Sequence, residues 1–559
     1  MFAKSSRAYA PGVAQFRGYR LGWLRGDLVA GLTVAAYLVP QVMAYATLAG
    51  LPPIAGLCAA VVALAAYAMF GSSPQLSFGP ESTTALMTAA VVAPVAGGVG
   101  ARYAVLAAVL AILVGAVSLV GALARLGFLA NLLSRPVLVG YMSGIAIVMV
   151  ASQLGRITGT PVSGTRVIDL MRAFARVFND IQWPTTVLAA SVLGLLLALD
   201  RWAPKMPGPL IAVLAATFVV HVLSLHVRGI DVVGTIPAGL PALGLPRVAP
   251  SELAALILPA VGIAIVAFSD TVLTARAFAA RGGAEIDANA ELRALGVANV
   301  ATGLTHGFAV SSSGSRTAVG VAVGGRTQMY SLVVLTLVLA VTLGGRGVLA
   351  SFPTAALGAL VVFAALRLID FAEYRRLARF RRSELVLAVA TAAGVVGLGV
   401  LYGVLAAVAL SILDLLRRIS HAHDSILGFV PGVAGMHDVE DYPDAAPVPG
   451  LVIYRYDAPL CFANAQDFRR RALAAVDHED GFVEWFVLNA EANVEVDLTA
   501  LDALDQLRDE LSRRGIVFAM ARVKQDLRES LAAAGLLARM GEDRIFMTLP
   551  TAVEAFKNR

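Results

Sequence analysis

The sequence predicts an α-helical polytopic membrane protein followed by a soluble α/β domain. The chain is 58% hydrophobic and only 15% charged, and its mean hydropathy is +0.76. Water cannot be the main solvent of a chain this apolar. Long apolar stretches recur from Asp27 to about Arg418, whereas the composition after them is that of an ordinary globular domain. We therefore expect an N-terminal arm at 1–26, a transmembrane domain at 27–420, and a linker with a soluble domain at 421–559.

Fourteen transmembrane segments are predicted from the spacing of the apolar stretches. A span needs about 20 apolar residues, and fewer where a broken helix is enclosed by protein. The spans are predicted at 28–46, 53–70, 81–97, 103–124, 131–152, 185–200, 208–227, 255–274, 290–308, 314–325, 327–345, 353–368, 384–401 and 403–418. Loops on the N-terminal side of the bundle hold more Lys and Arg than the opposite loops, and the arm lacks the pattern of a cleaved signal. Both termini are therefore predicted to be cytoplasmic, with the bundle in the plasma (inner) membrane.

The segment after His421 alternates between short β-rich runs and helical stretches, which indicates an α/β domain. Strands are predicted at 451–456, 485–488, 516–519 and 544–547, and helices at 465–475, 501–514 and 524–534. This domain contains no glycine-rich phosphate loop and no nucleophile elbow. Neither Cys58 nor Cys461 belongs to a disulfide or metal pattern, and the basic residues do not form a nucleic-acid face. We predict no enzyme activity, no cofactor, no metal site and no nucleic-acid partner.

Two polar interruptions inside apolar stretches are the most informative local features. Residues 78–84 read Phe-Gly-Pro-Glu-Ser-Thr-Thr, and proline starts a helix cleanly because its missing N–H would be unpaired there. Residues 310–317 read Val-Ser-Ser-Ser-Gly-Ser-Arg-Thr and lead into a short helix. The first interruption follows Asp27 by about as much as the second follows the start of the eighth span. Paired interruptions in matching halves indicate a transporter site built by an inverted repeat.

The chemistry at these interruptions favours an anion. Free N–H groups at two facing helix starts supply partial positive charge, and Arg316 adds a full charge with a donor fork that suits an oxyanion. In a plainer interpretation, Gly79 and Pro80 only end a tight turn and Arg316 only reaches to the membrane interface. Gln41 and Tyr45 share one face of the first span, either as part of the site or as a buried polar contact between helices.

Other ionisable side chains inside the predicted spans are further candidates, because an unpaired charge at this depth is unfavourable. An ionised Glu81 would repel an anion, so its protonation could couple anion entry to a proton. Asp270 and Thr274 lie four residues apart on one helix face and could hold Na⁺. Asp270 could equally pair with Arg316 as a purely structural contact.

Several motifs together resemble the sulfate permease (SulP) family of anion transporters and exchangers. They are Pro40-Gln41-Val42-Met43-Ala44-Tyr45-Ala46, Leu51-Pro52-Pro53, Gly56-Leu57, Gly71-Ser72-Ser73, Gly79-Pro80, Asp287-Ala288-Asn289-Ala290-Glu291-Leu292 and Ser315-Arg316-Thr317-Ala318. Their order and spacing cover nearly the whole chain, and mycobacterial members regarded as sulfate transporters are especially similar.

The resemblance implies a UraA-like fold of fourteen segments in two inverted repeats of seven. Segments 1–4 and 8–11 would form a core and segments 5–7 and 12–14 a gate, a cytoplasmic STAS domain would follow, and two chains would form a homodimer. The implied anion site comprises Gln41, Tyr45, Pro80, Glu81, Ser82, Ser313, Ser315 and Arg316. Glu81 departs from the small or apolar residue expected after Gly-Pro in this family, which raises the question of its protonation.

The implied activity is secondary active transport of a small inorganic anion by alternating access, with H⁺ or Na⁺ as the coupling ion. Sulfate is the first choice, bicarbonate the second and a dicarboxylate the third. The alternatives are an anion channel, and a regulatory scaffold whose STAS domain recruits a cytosolic partner. Asn489-Ala490-Glu491 and Asp497-Leu498-Thr499 match the phosphorylated region of anti-sigma-factor antagonists only loosely, so no phosphorylation is predicted there.

Overall fold

The computed structural model describes residues 11–97, 99–131, 134–162, 164, 166–204, 206–225, 229–235, 243–279, 286–479 and 481–559. The first ten residues of the predicted N-terminal arm lie outside these ranges. The chain divides into two compact units, one that ends at Ser411 and one that begins at Ile412.

The first unit is a bundle of helices that contains two very short strands. Its elements are α1 (Pro11–Arg17), α2 (Leu24–Leu48), α3 (Pro53–Phe70), β1 (Phe78–Gly79), α4 (Ser82–Ala96), α5 (Gly100–Leu123), α6 (Arg135–Thr158), α7 (Val167–Arg176), α8 (Trp183–Trp202), α9 (Gly208–Val222), α10 (Pro250–Ala279), α11 (Ala288–Leu304), β2 (Ser311–Ser312), α12 (Gly314–Ala322), α13 (Met329–Gly344), α14 (Arg346–Ala350), α15 (Thr354–Leu366), α16 (Phe371–Phe380), α17 (Arg382–Leu398) and α18 (Val400–Ser420), the last of which continues into the second unit.

Each of the fourteen predicted spans overlaps one of these helices, while α1, α7, α14 and α16 lie outside the predicted spans. In the described ranges, seven helices are long and apolar enough to cross a membrane, and α4, α9 and α13 are shorter apolar helices. Helices that stop short of full membrane thickness are typical where a broken segment is enclosed by protein.

Small residues let neighbouring helices approach closely. α11 packs along α5, where a Cβ on Gly115 would lie 2.6 Å from Val300. α17 packs along α6, where a Cβ on Gly140 would lie 2.0 Å from the Ala388 carbonyl oxygen. Such crossings are favoured in lipid, where helix association depends on close van der Waals packing. The first pair belongs to the predicted core and the second to the predicted gate, and the division into core and gate stays a prediction.

Two fully buried carboxylates fix the loops next to the broken segments. Glu291 on α11 accepts hydrogen bonds from the Tyr67 hydroxyl at 2.9 Å and from the amide and hydroxyl of Ser72 at 2.8 and 2.6 Å. Asp27 on α2 accepts from the amide and hydroxyl of Thr327 at 3.2 and 2.7 Å. Both carboxylates are 0% exposed, and a buried charge is tolerated when donors surround it. The loop before the first broken segment and the loop after the second are therefore held against the bundle.

The second unit is a six-stranded sheet with helices on both faces. Its elements are β3 (Asp424–Phe429), β4 (Met436–Asp438), β5 (Leu451–Tyr456), α19 (Ala465–Asp477), β6 (Trp485–Asn489), α20 (Leu498–Arg513), β7 (Val517–Ala521), α21 (Gln525–Ala533), α22 (Leu536–Met540), β8 (Ile545–Phe546) and α23 (Leu549–Lys557). The strand order is β4-β3-β5-β6-β7-β8, with β5 to β8 parallel. Phe468 and Leu504 are buried on one face of the sheet and Phe556 on the other. The predicted strands and helices are all present, and β3, β4, α22 and α23 are additions to them.

Candidate functional site

The two broken segments meet inside the first unit. β1 and β2 pair antiparallel, with Phe78 opposite Ser312 and Gly79 opposite Ser311. α4 follows β1 and α12 follows β2, so both helices start at this pair of strands. The partial positive charges at the starts of both helices therefore come together.

Glycine is required at position 79 by the backbone. Gly79 has a φ of +151°, a conformation that side chains with a Cβ rarely adopt. The surrounding space would admit a Cβ, which would lie at an ordinary contact distance of 3.6 Å from Nη2 of Arg316, so the constraint comes from the backbone. The predicted break at Gly79-Pro80 is thus the point where the extended strand turns into the start of α4.

A cavity of about 370 Å³ lies at the two helix starts. Its walls are formed by Tyr37, Gln41, Tyr45, Glu81, Ser82, Thr83, Met142, Asp270, Thr274, Ser312, Ser313, Gly314, Ser315, Ala318, Ala364, Arg367 and Leu368. The structure brings together every predicted site residue in this wall except Pro80 and Arg316. A wall rich in hydroxyl, amide and charged groups suits a small polar ligand better than an apolar one.

Arg316 lies behind the cavity wall and is fully buried. Its Nη1 donates to the Pro80 carbonyl at 2.9 Å and to Oε1 of Gln41 at 3.2 Å, and its Nε donates to the Ser77 hydroxyl at 3.3 Å. Among the described residues, Nη2 has no hydrogen-bond partner, and the ion pair with Asp270 considered from the sequence is not formed. Arg316 therefore ties α12 to α2 and to the start of α4.

The two helix starts differ in how their donors are used. Glu81 is the N-cap of α4, and its carboxylate accepts from the Thr83 amide and the Ser82 hydroxyl, both at 2.7 Å. The N-cap of α12 is Ser313, whose side chain caps nothing. Within the described ranges, no hydrogen bond occupies the amides of residues 314–316. α4 thus begins with its own anion, whereas α12 begins with free donors.

A second carboxylate, on α10, faces the same cavity as Glu81. Asp270 accepts a hydrogen bond from the Ser312 hydroxyl at 3.4 Å, and Thr274 lies one turn further along α10 in the same wall. Carboxylate and hydroxyl oxygens are hard ligands that suit a cation, and a carboxylate can also carry a proton. The described residues contain no group of three or more His, Cys, Asp or Glu side chains that could hold a metal ion.

A smaller cavity of about 210 Å³ adjoins the first and shares four lining residues with it, Tyr37, Ser315, Ala318 and Arg367. It reaches Asp200 near the end of α8, and Nη1 of Arg367 lies 2.9 Å from Oδ1 of Asp200. By the alternation of the helices, both charges lie on the side of the bundle where α2 begins. The described cavities therefore continue toward that side.

Sequence reasoning named neither of two residues that bring a phenol and a guanidinium to the larger cavity, Tyr37 and Arg367. A signal existed for Tyr37, which precedes Gln41 by four residues and so lies on the same helix face. No local signal existed for Arg367, because it follows a segment far from both broken ones and reaches the cavity only through the fold.

Family comparisons cover both units of the chain. Residues 24–391 match the sulfate permease family and residues 442–552 match the STAS domain. Over 555 residues the chain is 69% identical to the probable sulfate transporter Rv1739c of Mycobacterium tuberculosis, with 99% of each chain covered. It is 30% identical to the chloroplastic sulfate transporter 4.1 of Arabidopsis thaliana, over 96% of this chain and 81% of that one.

Solved structures show the same fold. The murine Slc26a9 anion transporter in its inward-facing state aligns with a TM-score of 0.91 at 22% identity, over 99% of this chain and 94% of that one. The transmembrane domain of the cyanobacterium bicarbonate transporter BicA aligns with a TM-score of 0.62 at 24% identity, over 71% of this chain and 98% of that one. The predicted membrane fold and STAS domain are thus confirmed. The chain belongs to the sulfate permease family, whose members are multi-pass transporters of anions and not enzymes.

Proposed function

We propose that this family member is a secondary active transporter of a small inorganic anion, with sulfate as the first choice. The observation that carries the proposal is the cavity at which two helices begin, with the Ser315 hydroxyl in its wall and, among the described residues, unoccupied amides at 314–316. A small oxyanion has little surface to bury and depends on charge-assisted hydrogen bonds. These groups supply such bonds, and the buried charge of Arg316 adds to their field.

Sulfate ranks first because relatives at 69% and 30% identity carry the name of sulfate transporters. Bicarbonate and a dicarboxylate are the second and third candidates, since both present carboxylate-type oxygens to the same donors. An anion channel built on the same walls is the alternative mechanism. It differs from a carrier in passing ions without a conformational cycle.

For coupling, we assign Asp270, Thr274 and Glu81 as the candidate positions for H⁺ or Na⁺. An anion that enters beside two carboxylates is repelled by their negative charge. A cation bound by those carboxylates neutralises that charge and so removes the repulsion. Coupling of this kind follows from charge balance, because a cavity enclosed by protein disfavours an unpaired net charge.

The access route follows from the cavities and the helix ends. The route past Arg367 and Asp200 leads to the predicted cytoplasmic side, and on this ground we infer an inward-facing state. At the opposite ends of α2 and α6, Nη2 of Arg156 donates to the Thr47 carbonyl at 2.7 Å. This contact joins the predicted core to the predicted gate, and alternating access would require it to break when the outer side opens.

We further propose that both termini are cytoplasmic, that the bundle lies in the plasma membrane, and that two chains form a homodimer. The STAS domain is the natural place for a cytosolic regulatory partner. Truncation before Asp424 tests its role: uptake in liposomes should persist if the domain regulates, and should vanish if the membrane unit needs it.

The decisive test is uptake by the full-length protein in liposomes. Labelled sulfate and bicarbonate are offered with pH and Na⁺ gradients imposed separately, and an inward gradient of one cation should accelerate sulfate uptake. Asp270→Asn should abolish the response to the gradient but leave exchange of sulfate for sulfate. Absence of uptake of either anion under every gradient would overturn the proposal, and currents above any carrier rate would favour the channel.

A further inference from the structure

We propose that Glu81 is a built-in competitor of the transported anion. Its carboxylate occupies two donors at the start of α4, the Thr83 amide and the Ser82 hydroxyl, and an anion receives those two bonds only after displacing it. The inference rests on the proposed function, because it concerns the same cavity and the same class of ligand.

The geometry shows that the competition is direct. The two donors that Glu81 engages, the Thr83 amide and the Ser82 hydroxyl, belong to residues that line the cavity. A carboxylate oxygen accepts these bonds in the same way as an oxygen of sulfate or bicarbonate. The anion therefore cannot receive these two hydrogen bonds while Glu81 holds them.

Glu81 is held in a way that permits displacement. In the described part of the chain its side chain makes these two hydrogen bonds and forms no ion pair. Arg316, the nearest buried cation of the site, directs its bonds to Pro80, Gln41 and Ser77 instead. A rotation about the Glu81 side-chain bonds would free the start of α4 without breaking the contacts that hold the two helices together.

Among the residues that the structure describes, no carboxylate accepts from the amides at the start of α12. Ser313 caps nothing at α12, and Asp270 accepts from the Ser312 hydroxyl rather than from the start of a helix. An arriving anion is therefore expected to bind first at α12 and to compete with Glu81 for α4 second. Transport requires that the bound anion also be released. Competition from Glu81 at the second step keeps a doubly charged anion from binding too tightly for release.

Sulfate binding to the full-length protein in nanodiscs, measured by calorimetry, tests the inference. Glu81→Ala should bind sulfate about tenfold more tightly than the unaltered protein, because the donors are then free. Glu81→Asp is the matched variant that keeps a carboxylate at a preferred N-cap position, so its gain in sulfate affinity should be smaller than that of Glu81→Ala. Should Glu81→Ala fail to fold, Glu81→Gln is expected to give a smaller gain in affinity.

Amide hydrogen exchange at residues 82–84 supplies a second readout that a merely structural role would not move. In Glu81→Ala, the Thr83 amide should exchange fast without sulfate and slowly with it, whereas in the unaltered protein this amide should exchange slowly in both conditions. Equal sulfate affinity of the unaltered protein and Glu81→Ala would overturn this inference alone. If no variant binds sulfate, bicarbonate or chloride, the proposed function itself fails and the inference fails with it.

Discussion

The starts of α4 and α12 occupy matching places in the two repeats, and they have become chemically opposite. α4 begins after Gly79-Pro80 and is capped by the carboxylate of Glu81. α12 begins after three serines, keeps its first amides free, and carries a buried arginine one turn later. One start is neutralised by its own chain, and the other is left open to a ligand.

This difference teaches how a repeat can be symmetric in backbone and asymmetric in charge. The antiparallel pairing of β1 and β2 needs only that both segments be extended. The side chains are then free to diverge, and Arg316 of one half serves the other half by holding the Pro80 carbonyl. The two starts are therefore expected to respond differently to the same substitutions.

Replacing Arg316 by alanine should have the largest effect. The change leaves the Pro80 carbonyl and the Gln41 amide oxygen without the donors they have now, and each buried unpaired acceptor costs about 1–3 kcal/mol. We expect anion uptake in liposomes to fall by roughly a hundredfold or more.

Arg316→Lys is the control for charge, since it keeps a cation but cannot reach several acceptors with one planar fork. Its uptake should lie between those of Arg316→Ala and the unaltered protein. Thermal unfolding in detergent, measured in parallel, separates loss of the site from loss of the fold. Uptake by Arg316→Ala within threefold of the unaltered protein would show that this arginine does not hold the two starts together.

Alanine at the paired positions 79 and 311 should give unequal losses of stability. Gly79→Ala places a Cβ on a backbone with a φ of +151°, which costs about 1–3 kcal/mol. Ser311→Ala removes a hydroxyl whose only hydrogen bond in the described ranges is a 3.5 Å contact with the Ser312 carbonyl, so a change below about 0.5 kcal/mol is expected. The difference in stability is measured from thermal unfolding of both variants. Equal losses of stability would mean that the backbone conformation before α4 does not depend on the glycine.

The sequence was sufficient to predict the fourteen membrane helices, the STAS elements and the two breaks, because apolar periodicity and proline chemistry are local. It also indicated eight of the seventeen residues in the cavity wall, including Gln41 and Tyr45. It did not show that Arg316 lies behind that wall. The sequence alone does not distinguish an arginine that faces a ligand from one that donates to a backbone carbonyl. Nor could it show Glu81 turned back onto its own helix, which depends on a side-chain rotation.

The smallest predicted effect, and the finest test of the comparison, comes from removing one serine hydroxyl at each start. Ser315→Ala deletes a hydroxyl that lines the cavity beside the open start of α12, so sulfate affinity should fall, by up to about tenfold. Ser82→Ala deletes a hydroxyl that now donates to Glu81 at 2.7 Å. The anion does not yet use that hydroxyl, and its loss loosens the competitor, so affinity should stay constant or rise a few-fold. Calorimetry of the two variants, measured side by side, shows whether sulfate affinity falls in Ser315→Ala and stays constant or rises in Ser82→Ala. Equal weakening by both would mean that the anion uses the two starts alike.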